Sequence, residues 1–439
     1  MNLLIKNGRI IDSESGFDKI ADILIEDGKI KSINSQLPTL KSQLPNFKII
    51  DATGKIVTPG LIDIHTHLRE PGQEDKETIA TGTRAAAAGG FTTIACMPNT
   101  NPVIDNPSIV KYILDNAEKE GVINVVPIGA VSKGLIHEEL VEIKNLLDAG
   151  AVAISDDGYP VMDADFVRRI LEATKKFNIP FISHCEDTNI SKNGVVNEGT
   201  NLNLPEIPKA AEETMVARNI ELAKITQGRL HIAHVSTKRS VELIREAKKN
   251  RIKVTCEATP HHWTLTDEAV KNLDTNTKMN PPLRSQEDVE AIKEGLQDGT
   301  IDVIASDHAP HTLAEKQQGY KLAPFGIIGL ETTVGLIISQ LVNKRILSLS
   351  EAIAKLTINP AKVLNLDAGE LKIGKKADIT IIDMNKEWTV DFTFIFDNIL
   401  PELGNAKAQI KTIIRITVIN SINVNPLLLI FLLLKCIGI

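Results

Sequence analysis

The chain has 439 residues, of which 43% are hydrophobic and 24% charged, and its formal net charge is −7. That length provides for one large domain and a smaller one, each with its own core. Lys and Arg are scattered rather than clustered, which leaves no basic footprint for nucleic acid, so an acidic substrate must be recognised locally.

Cys96, Cys185, Cys256 and Cys436 are far apart and show no C-x-x-C spacing. They do not read as a disulfide framework, and a reducing, cytoplasmic setting is the expectation. Residues 1–8 lack the basic, apolar and cleavage regions of a signal peptide, and the longest apolar run, 427–434, is far short of the roughly 20 residues that span a bilayer. No membrane partner is expected.

The first segment reads as short strands at 3–6, 21–26, 29–33 and 48–51, punctuated by Asn7-Gly8 and Asp27-Gly28 turns. From Pro59 buried-type strands alternate with helix-type segments. The pairs are 61–64 with 78–88, 92–97 with 108–119, 124–128 with 138–148, 151–154 with 164–177, 180–183 with 209–226, and 230–235 with 239–250. A seventh strand at 252–256 and, after a longer connection, an eighth at 301–305 complete the series. Eight strands with intervening helices predict an α/β fold, a (β/α)8 barrel over 59–359 whose chemistry sits on loops at the C-terminal ends of the strands. Helical segments at 332–342 and 350–355 follow, then a strand-like 377–383 patterned like the N-terminal strands. The two chain ends, 1–58 and 360–391, are therefore expected to pair in one small composite β-domain.

The chemistry starts with His65-Thr66-His67 at the end of the first barrel strand. Residues i and i+2 of a strand share a face, so both imidazoles can address one point in space. A lone His-x-His is common and means little. Here ligand-type residues recur where other strands end, in Asp156-Asp157-Gly158, His184-Cys185-Glu186-Asp187, His231-Ile232-Ala233-His234 and Asp307-His308-Ala309-Pro310-His311. Together they point to a metal centre. His137 is expected to open a helix in solvent, and His231 to pack on the face opposite His234. His308 is read as a supporting residue, His261-His262 near the end of the seventh strand as packed rather than supporting, and Cys185 as a small buried hydrophobe.

The run His65-x-His67-x-Arg69-Glu70-Pro71-Gly72, with Ala305-Ser306-Asp307-His308-Ala309-Pro310-His311 and Lys316 beyond it, resembles the paired signatures of the bacterial-type dihydroorotases of the amidohydrolase superfamily. Met97-Pro98-Asn99, His184-Cys185-Glu186-Asp187, Lys278-Met279-Asn280-Pro281-Pro282 and Pro324-Phe325-Gly326 match as well. The resemblance runs from about residue 3 to about residue 391. It implies a metal-dependent barrel with a composite β-sandwich, and a zinc-dependent, reversible cyclisation of N-carbamoyl-L-aspartate to (S)-dihydroorotate plus water in pyrimidine (UMP) biosynthesis.

The same resemblance implies two Zn2+ ions per subunit, with His65, His67 and Asp307 on one and His184 and His234 on the other. Relatives that bridge the metals with a carboxylated lysine carry it on the fourth strand; this chain has Asp156-Asp157 there, and Asp157 matches the bridging Asp, with Asp156 its rival or a supporting acceptor. A hydroxide between the metals would attack the ring amide while Asp307 shuttles the proton. Arg69, placed on the side of His67 if the strand geometry persists, would pair with the substrate carboxylate. His67, Asn99, Asn280, His311, Phe325 and Gly326 are the other implied substrate contacts.

Two further readings stay open. One is another cyclic amidohydrolase, such as a hydantoinase or allantoinase, against which the Asp bridge and carboxylate clamp speak. The other is an inactive dihydroorotase-like partner of aspartate transcarbamoylase, against which the six retained ligands speak. Beyond the small-molecule substrate, a homodimer or a complex with aspartate transcarbamoylase is the partner expectation. After about Asp391 the family pattern stops, and Phe392-Thr393-Phe394-Ile395-Phe396 opens an Ile- and Asn-rich, then Leu-rich, ending. Its one good strand candidate is 412–419. A reading-frame change near 392 or divergence would each produce this, and the segment 392–439 is expected to pack poorly.

Overall fold

A computed structural model describes residues 2–34, 47–387 and, as backbone alone, 415–420. Alternating apolar residues build a seven-stranded sheet from both ends of the chain. Its strands are β1 (Asn2–Asp12), β2 (Phe17–Glu26), β3 (Lys29–Asn34), β4 (Phe47–Asp51) and β5 (Ile56–Pro59) from the N-terminal side. Ten strands of the barrel region intervene in the chain before β16 (Asp378–Asp383) and β17 (Arg415–Asn420) complete it. The order is β17-β16-β5-β1-β2-β3, with β4 also paired to β1. Leu3, Ile5, Ile23, Ile25, Val57, Ile379 and Ile381 share its core, so the strand-like 377–383 does join the N-terminal strands. β17 lies parallel to β16, at the position of the 412–419 candidate. The apolar run 427–434 lies outside the described residues.

Asn7-Gly8 behaves differently from its sequence signal. The chain does not turn there; β1 runs on to Asp12, with a register shift between Ile5 and Gly8. Asn7 takes a left-handed φ of 61°, and its N–H donates to Asp22 Oδ1 at 2.9 Å. A Cβ at Gly8 would stand 2.4 Å from Val57 Cγ2. The pair is a β-bulge that lets β5 approach, which the same two residues can serve as well as a turn. Asp27-Gly28, by contrast, is the two-residue hairpin turn its sequence predicts, with φ values of 47° and 74°.

The barrel strands are β6 (Leu61–Thr66), β7 (Phe91–Cys96), β8 (Asn124–Ala130), β9 (Ala153–Ser155) and β10 (Pro180–Ser183) in its first part. Then come a small parallel pair, β11 (Val196–Asn197) with β12 (Glu206–Ile207), and the barrel strands β13 (Arg229–Ile232), β14 (Val254–Ala258) and β15 (Val303–Ile304). The eight barrel strands pair in parallel in chain order. First and last strands are joined by a Thr66–His308 bridge and a His67 N–H donated to His308 O at 2.8 Å. Buried Asp63 adds to the closure by accepting the backbone N–H of His65 at 3.0 Å and of Ser306 at 3.1 Å. Burial pushes its carboxyl up to about 6, opposed by those hydrogen bonds.

Helices with side-chain N-caps cover the barrel, among them Ile79–Ala88 under Thr78, Pro107–Glu120 under Asn106 and Lys238–Lys249 under Thr237. The domain boundary expected at 359/360 falls inside the helix Ile358–Leu364. Val363 and Leu364 of that helix cluster with Ile62 and Ile64 of β6, and strand alternation leaves Asp63, His65 and His67 on the opposite face. The helix expected at 138–148 begins only at Ile143. His137 precedes it with a left-handed φ of 63°, half-buried with its ring 6.2 Å from that of Phe166. It therefore neither opens a helix nor stands free in solvent, because left-handed backbone at Leu135 and His137 folds the segment back. Among the described residues, no helix is long and apolar enough to cross a membrane.

Candidate metal centre

Five barrel strands deliver their C-terminal residues to one place: β6 brings His65 and His67, and the loops after β9, β10, β13 and β15 bring Asp157, His184, His234 and Asp307. Asp157 lies at the middle. Its Oδ1 is 3.4 Å from His65 Nε2 and 3.5 Å from both His184 Nδ1 and His234 Nε2, and its Oδ2 is 3.5 Å from His67 Nε2. Asp307 Oδ1 stands 3.2 Å from His67 Nε2 and 3.4 Å from His65 Nε2. Two sets have ligand atoms close enough for one ion each: His65, His67 and Asp307, and His65, Asp157 and His234. His184 joins the second region through Nδ1, which lies 2.9 Å from His234 Nε2.

The hydrogen-bond partners show where the imidazole protons are. His65 Nδ1 faces Glu257 Oε1, His67 Nδ1 faces Asn99 Oδ1 at 2.9 Å, and His184 Nε2 faces Glu186 Oε2 at 3.0 Å. Each acceptor holds a ring proton on the nitrogen turned away from the carboxylates, so that in the neutral imidazole the nitrogen facing them carries the lone pair. His65 Nε2 is buried without a hydrogen-bond partner. Lone pairs from three imidazoles and two carboxylates converging in a buried space require positive charge. The donor set of N and O atoms fits divalent cations such as zinc.

The titration behaviour has the same origin. Burial alone would raise the Asp157 carboxyl, but the His65 charge and hydrogen bonds from His184 and His234 hold it well below the ordinary range. Against the same opposing burial, His65 and a hydrogen bond from His67 hold Asp307 low. His184 is pushed up to about 10 although burial opposes this, because Asp157 and Glu186 flank it.

Asp156 turns away from this cluster. Its carboxylate accepts the backbone N–H of His184 at 2.8 Å and of Val161 at 3.1 Å, so it positions the chain beside the ligands. His231, completely buried, pairs with Thr255 and with Glu257 Oε2, 3.2 Å away. His262 bonds Thr259 and Pro281 O, while the Nε2 of buried His261 has no partner. His308 bonds Glu77 at 3.0 Å, and Cys185 is buried with its thiol pushed up to about 12 by desolvation.

Beside the cluster, Arg69 is held by a donated hydrogen bond from Nε to Pro310 O at 3.1 Å. Strand geometry does not persist to this residue: β6 ends at Thr66 and Arg69 has a φ of 62°. The guanidinium reaches the site through its bond to Pro310 instead. Its Nη2 is 3.3 Å from His311 Nε2, but that nitrogen lies 2.7 Å from Phe325 O, to which it donates. Burial, helped by Arg69 and Lys316, pushes His311 down to about 3 and keeps it neutral, so this edge of Arg69 remains open to an anion. Asn280 donates to Glu186 Oε2 at 2.7 Å. Gly326 needs to be glycine: its φ is 133°, and a Cβ would meet Ala309 O at 2.6 Å.

His65, His67, Asp157, His184, His234 and Asp307 thus lie together, with Asn99 and Asn280 hydrogen-bonded to groups of the cluster, whereas His137 lies apart, against Phe166. Glu257 and Asp63 were missed, and Glu186, quoted within the His184-Cys185-Glu186-Asp187 run, was given no role of its own. The available signal was a lone acid inside an apolar strand, Cys256-Glu257-Ala258 and Ile62-Asp63-Ile64, since a carboxylate buried there needs a partner.

The Amidohydrolase family model matches residues 56–415. The dihydroorotase of Endomicrobium trichonymphae is 55% identical over 410 residues, covering 92% of this chain and 94% of its own. That of Thermoanaerobacter sp. (strain X514) is 53% identical over 89% of this chain and 90% of its own. Among solved structures, the L-hydantoinase (dihydropyrimidinase) of Arthrobacter aurescens superposes with a TM-score of 0.78 at 27% identity, covering 86% of each chain. Barrel, site and sequence together make this chain a member of the amidohydrolase family and, within it, of the dihydroorotases.

Proposed function

We infer that this chain is an active dihydroorotase, catalysing the reversible cyclisation of N-carbamoyl-L-aspartate to (S)-dihydroorotate and water, and that its site holds two zinc ions. The observation that carries the reading is the pairing of the metal-type cluster with the open edge of Arg69, in a chain 55% identical to a dihydroorotase over 92% of its length. His65, His67 and Asp307 would hold one ion, His184 and His234 the other, and Asp157 both. When bound, the ions polarise the ring carbonyl and make hydroxide available near neutral pH.

The chain's own residues do the rest. Arg69 pairs with the ring carboxylate through charge-assisted hydrogen bonds, and Asn99, His311 and the Phe325-Gly326 backbone complete that grip. His67 and Asn280 line the ring side. Asp307 accepts the proton of the attacking water and delivers it to the ring nitrogen as the C–N bond breaks. Lys278 keeps the Phe325 loop in place, donating to Ala323 O at 2.6 Å with its ammonium 4.7 Å from the Phe325 ring centroid.

A hydantoinase reading has the structural likeness behind it, but a hydantoin ring carries no carboxylate for Arg69. Metal analysis of the purified protein, with hydrolysis of dihydroorotate and of a hydantoin side by side, is the test. Two zinc per chain and a strong preference for dihydroorotate are expected. Metal-free protein, or faster turnover of the uncharged hydantoin ring, would overturn the reading. A cytoplasmic enzyme that forms a homodimer or joins aspartate transcarbamoylase is the associated expectation, read out by sedimentation with and without that partner.

A further inference from the structure

Of the acceptors that stand behind the imidazoles, Glu257 is completely buried and faces two histidines. It comes from β14, which pairs with β13 and β15, the strands whose following loops carry His234 and Asp307. Glu257, His65 and His231 are all 0% exposed. One carboxylate oxygen faces His65 Nδ1, and also accepts the His234 backbone N–H at 3.4 Å. The other takes His231 Nε2 at 3.2 Å, and His231 Nδ1 in turn faces Thr255 Oγ1 at 2.8 Å.

We propose that Glu257 is a positioning residue that sets the metal affinity of the centre through His65. A neutral imidazole has one ring proton, and a buried carboxylate at Nδ1 holds it there. Nε2, the atom that faces Asp157 and Asp307, is thereby left as a lone pair. The negative charge also makes that lone pair more basic, and outer partners of this kind change metal affinity by about 10- to 100-fold. His231 serves the same end, because saturating Oε2 keeps the carboxylate from rotating away from His65. The bond to His234 N extends the hold to the strand end that carries a ligand of the other metal position.

The proposal rests on the metal reading above, and the experiment separates the two. Zinc itself is the probe: its dissociation constant is measured by chelator competition on folded wild-type and Glu257→Gln protein, with the thermal midpoint of the metal-free forms recorded alongside. Glutamine keeps the shape and removes the charge. Binding at least fivefold weaker in Glu257→Gln supports the proposal. A change below fivefold overturns it, whatever happens to the thermal midpoint, because a purely structural carboxylate would destabilise the metal-free protein and leave the affinity alone. If Glu257→Gln does not fold, Glu257→Asp, which retains the charge but draws it back from His65 by one methylene, is judged by the same threshold. In a His65→Ala background the added Glu257→Gln should weaken zinc binding less than it does in wild type; an equal loss there shows that Glu257 does not act through His65 and overturns the proposal. Wild-type protein that takes up no zinc overturns the metal reading itself and this proposal with it.

Discussion

The Oδ1 atom of Asp157 lies 3.4 Å from Nε2 of His65, across the barrel mouth from the strand that carries it. The same oxygen is 3.5 Å from His184 and His234, and the other oxygen 3.5 Å from His67. One carboxylate thus faces all four imidazoles, the geometry that a group shared between two ions requires. Asp157→Ala is expected to lower the metal content at both positions together, to less than half of wild type. Asp156→Ala should retain most of the metal and show its effect as lower stability, because Asp156 bonds the backbone of His184 and Val161. Metal analysis of both variants is the check, and full metal and activity in Asp157→Ala would remove the bridge assignment.

Recognition and chemistry should separate at Arg69 and Asp307. Arg69→Met removes a charge-assisted contact worth about 1.5 to 3 kcal/mol, so kcat/KM for dihydroorotate should fall about 10- to 150-fold while an uncharged ring is little affected. Equal losses on the two rings would make Arg69 a structural residue, held for its bond to Pro310 O. Asp307→Asn should instead reduce turnover of either ring by about 100-fold or more, since an amide cannot carry the proton.

How much of this was legible in the sequence follows from which interactions are local. His65 and His67 are readable because strand period two puts them on one face, and the barrel because its strands and helices alternate, broken only by the β11–β12 pair and the longer connection before β15. An acid inside an apolar strand marks Glu257 as needing a partner, but its role was not readable, because that partner is His65, 192 positions away. The Arg69 approach was inferred from strand geometry that ends at Thr66; a bond to Pro310 O, 241 positions on, achieves it. Asn7-Gly8 and His137 show the limit from the other side. Short-range signals there allow a turn or a helix start, and packing against Val57 and Phe166 selected something else.

Lys316 supplies a pH test. Its ammonium is mostly buried, donating to Thr275 O at 3.0 Å and Pro324 O at 3.1 Å beside the Phe325 loop, and desolvation followed by repulsion from Lys278 pushes it down to about 8 from the model-peptide value of 10.5. A lysine whose folded value is depressed leaves the folded chain with fewer protons than the unfolded chain between those two values. Stability attributable to this group therefore rises with pH from about 8 to about 10.5 and is flat below about 8. The wild-type and Lys316→Met unfolding free energies, compared across this range, should diverge in favour of wild type as pH rises. A difference that is constant with pH would mean that Lys316 titrates normally in the folded protein.

The edge of the sheet makes the last test. β17 covers the outer side of β16, pairing Asp378 with Arg415 through to Asp383 with Asn420. The contacts that tie β16 to the barrel lie elsewhere: Gly60 donates to Asp378 O at 2.8 Å, and Thr380 Oγ1 donates to Gly90 O at 2.8 Å. Ending the chain after Glu387 removes β17 and keeps those contacts. It leaves Asp-Ile-Thr-Ile-Ile-Asp as an open edge, apolar in the middle, and such an edge invites pairing with another chain. The truncated protein is expected to bind its metals and turn over dihydroorotate within about twofold of the full chain, since every residue assigned to the centre lies between His65 and Gly326. It should also unfold at a lower temperature and associate in a concentration-dependent way. Calorimetry with light scattering reads both effects, and an unchanged midpoint with no added association would show that β17 contributes nothing to the sheet's stability.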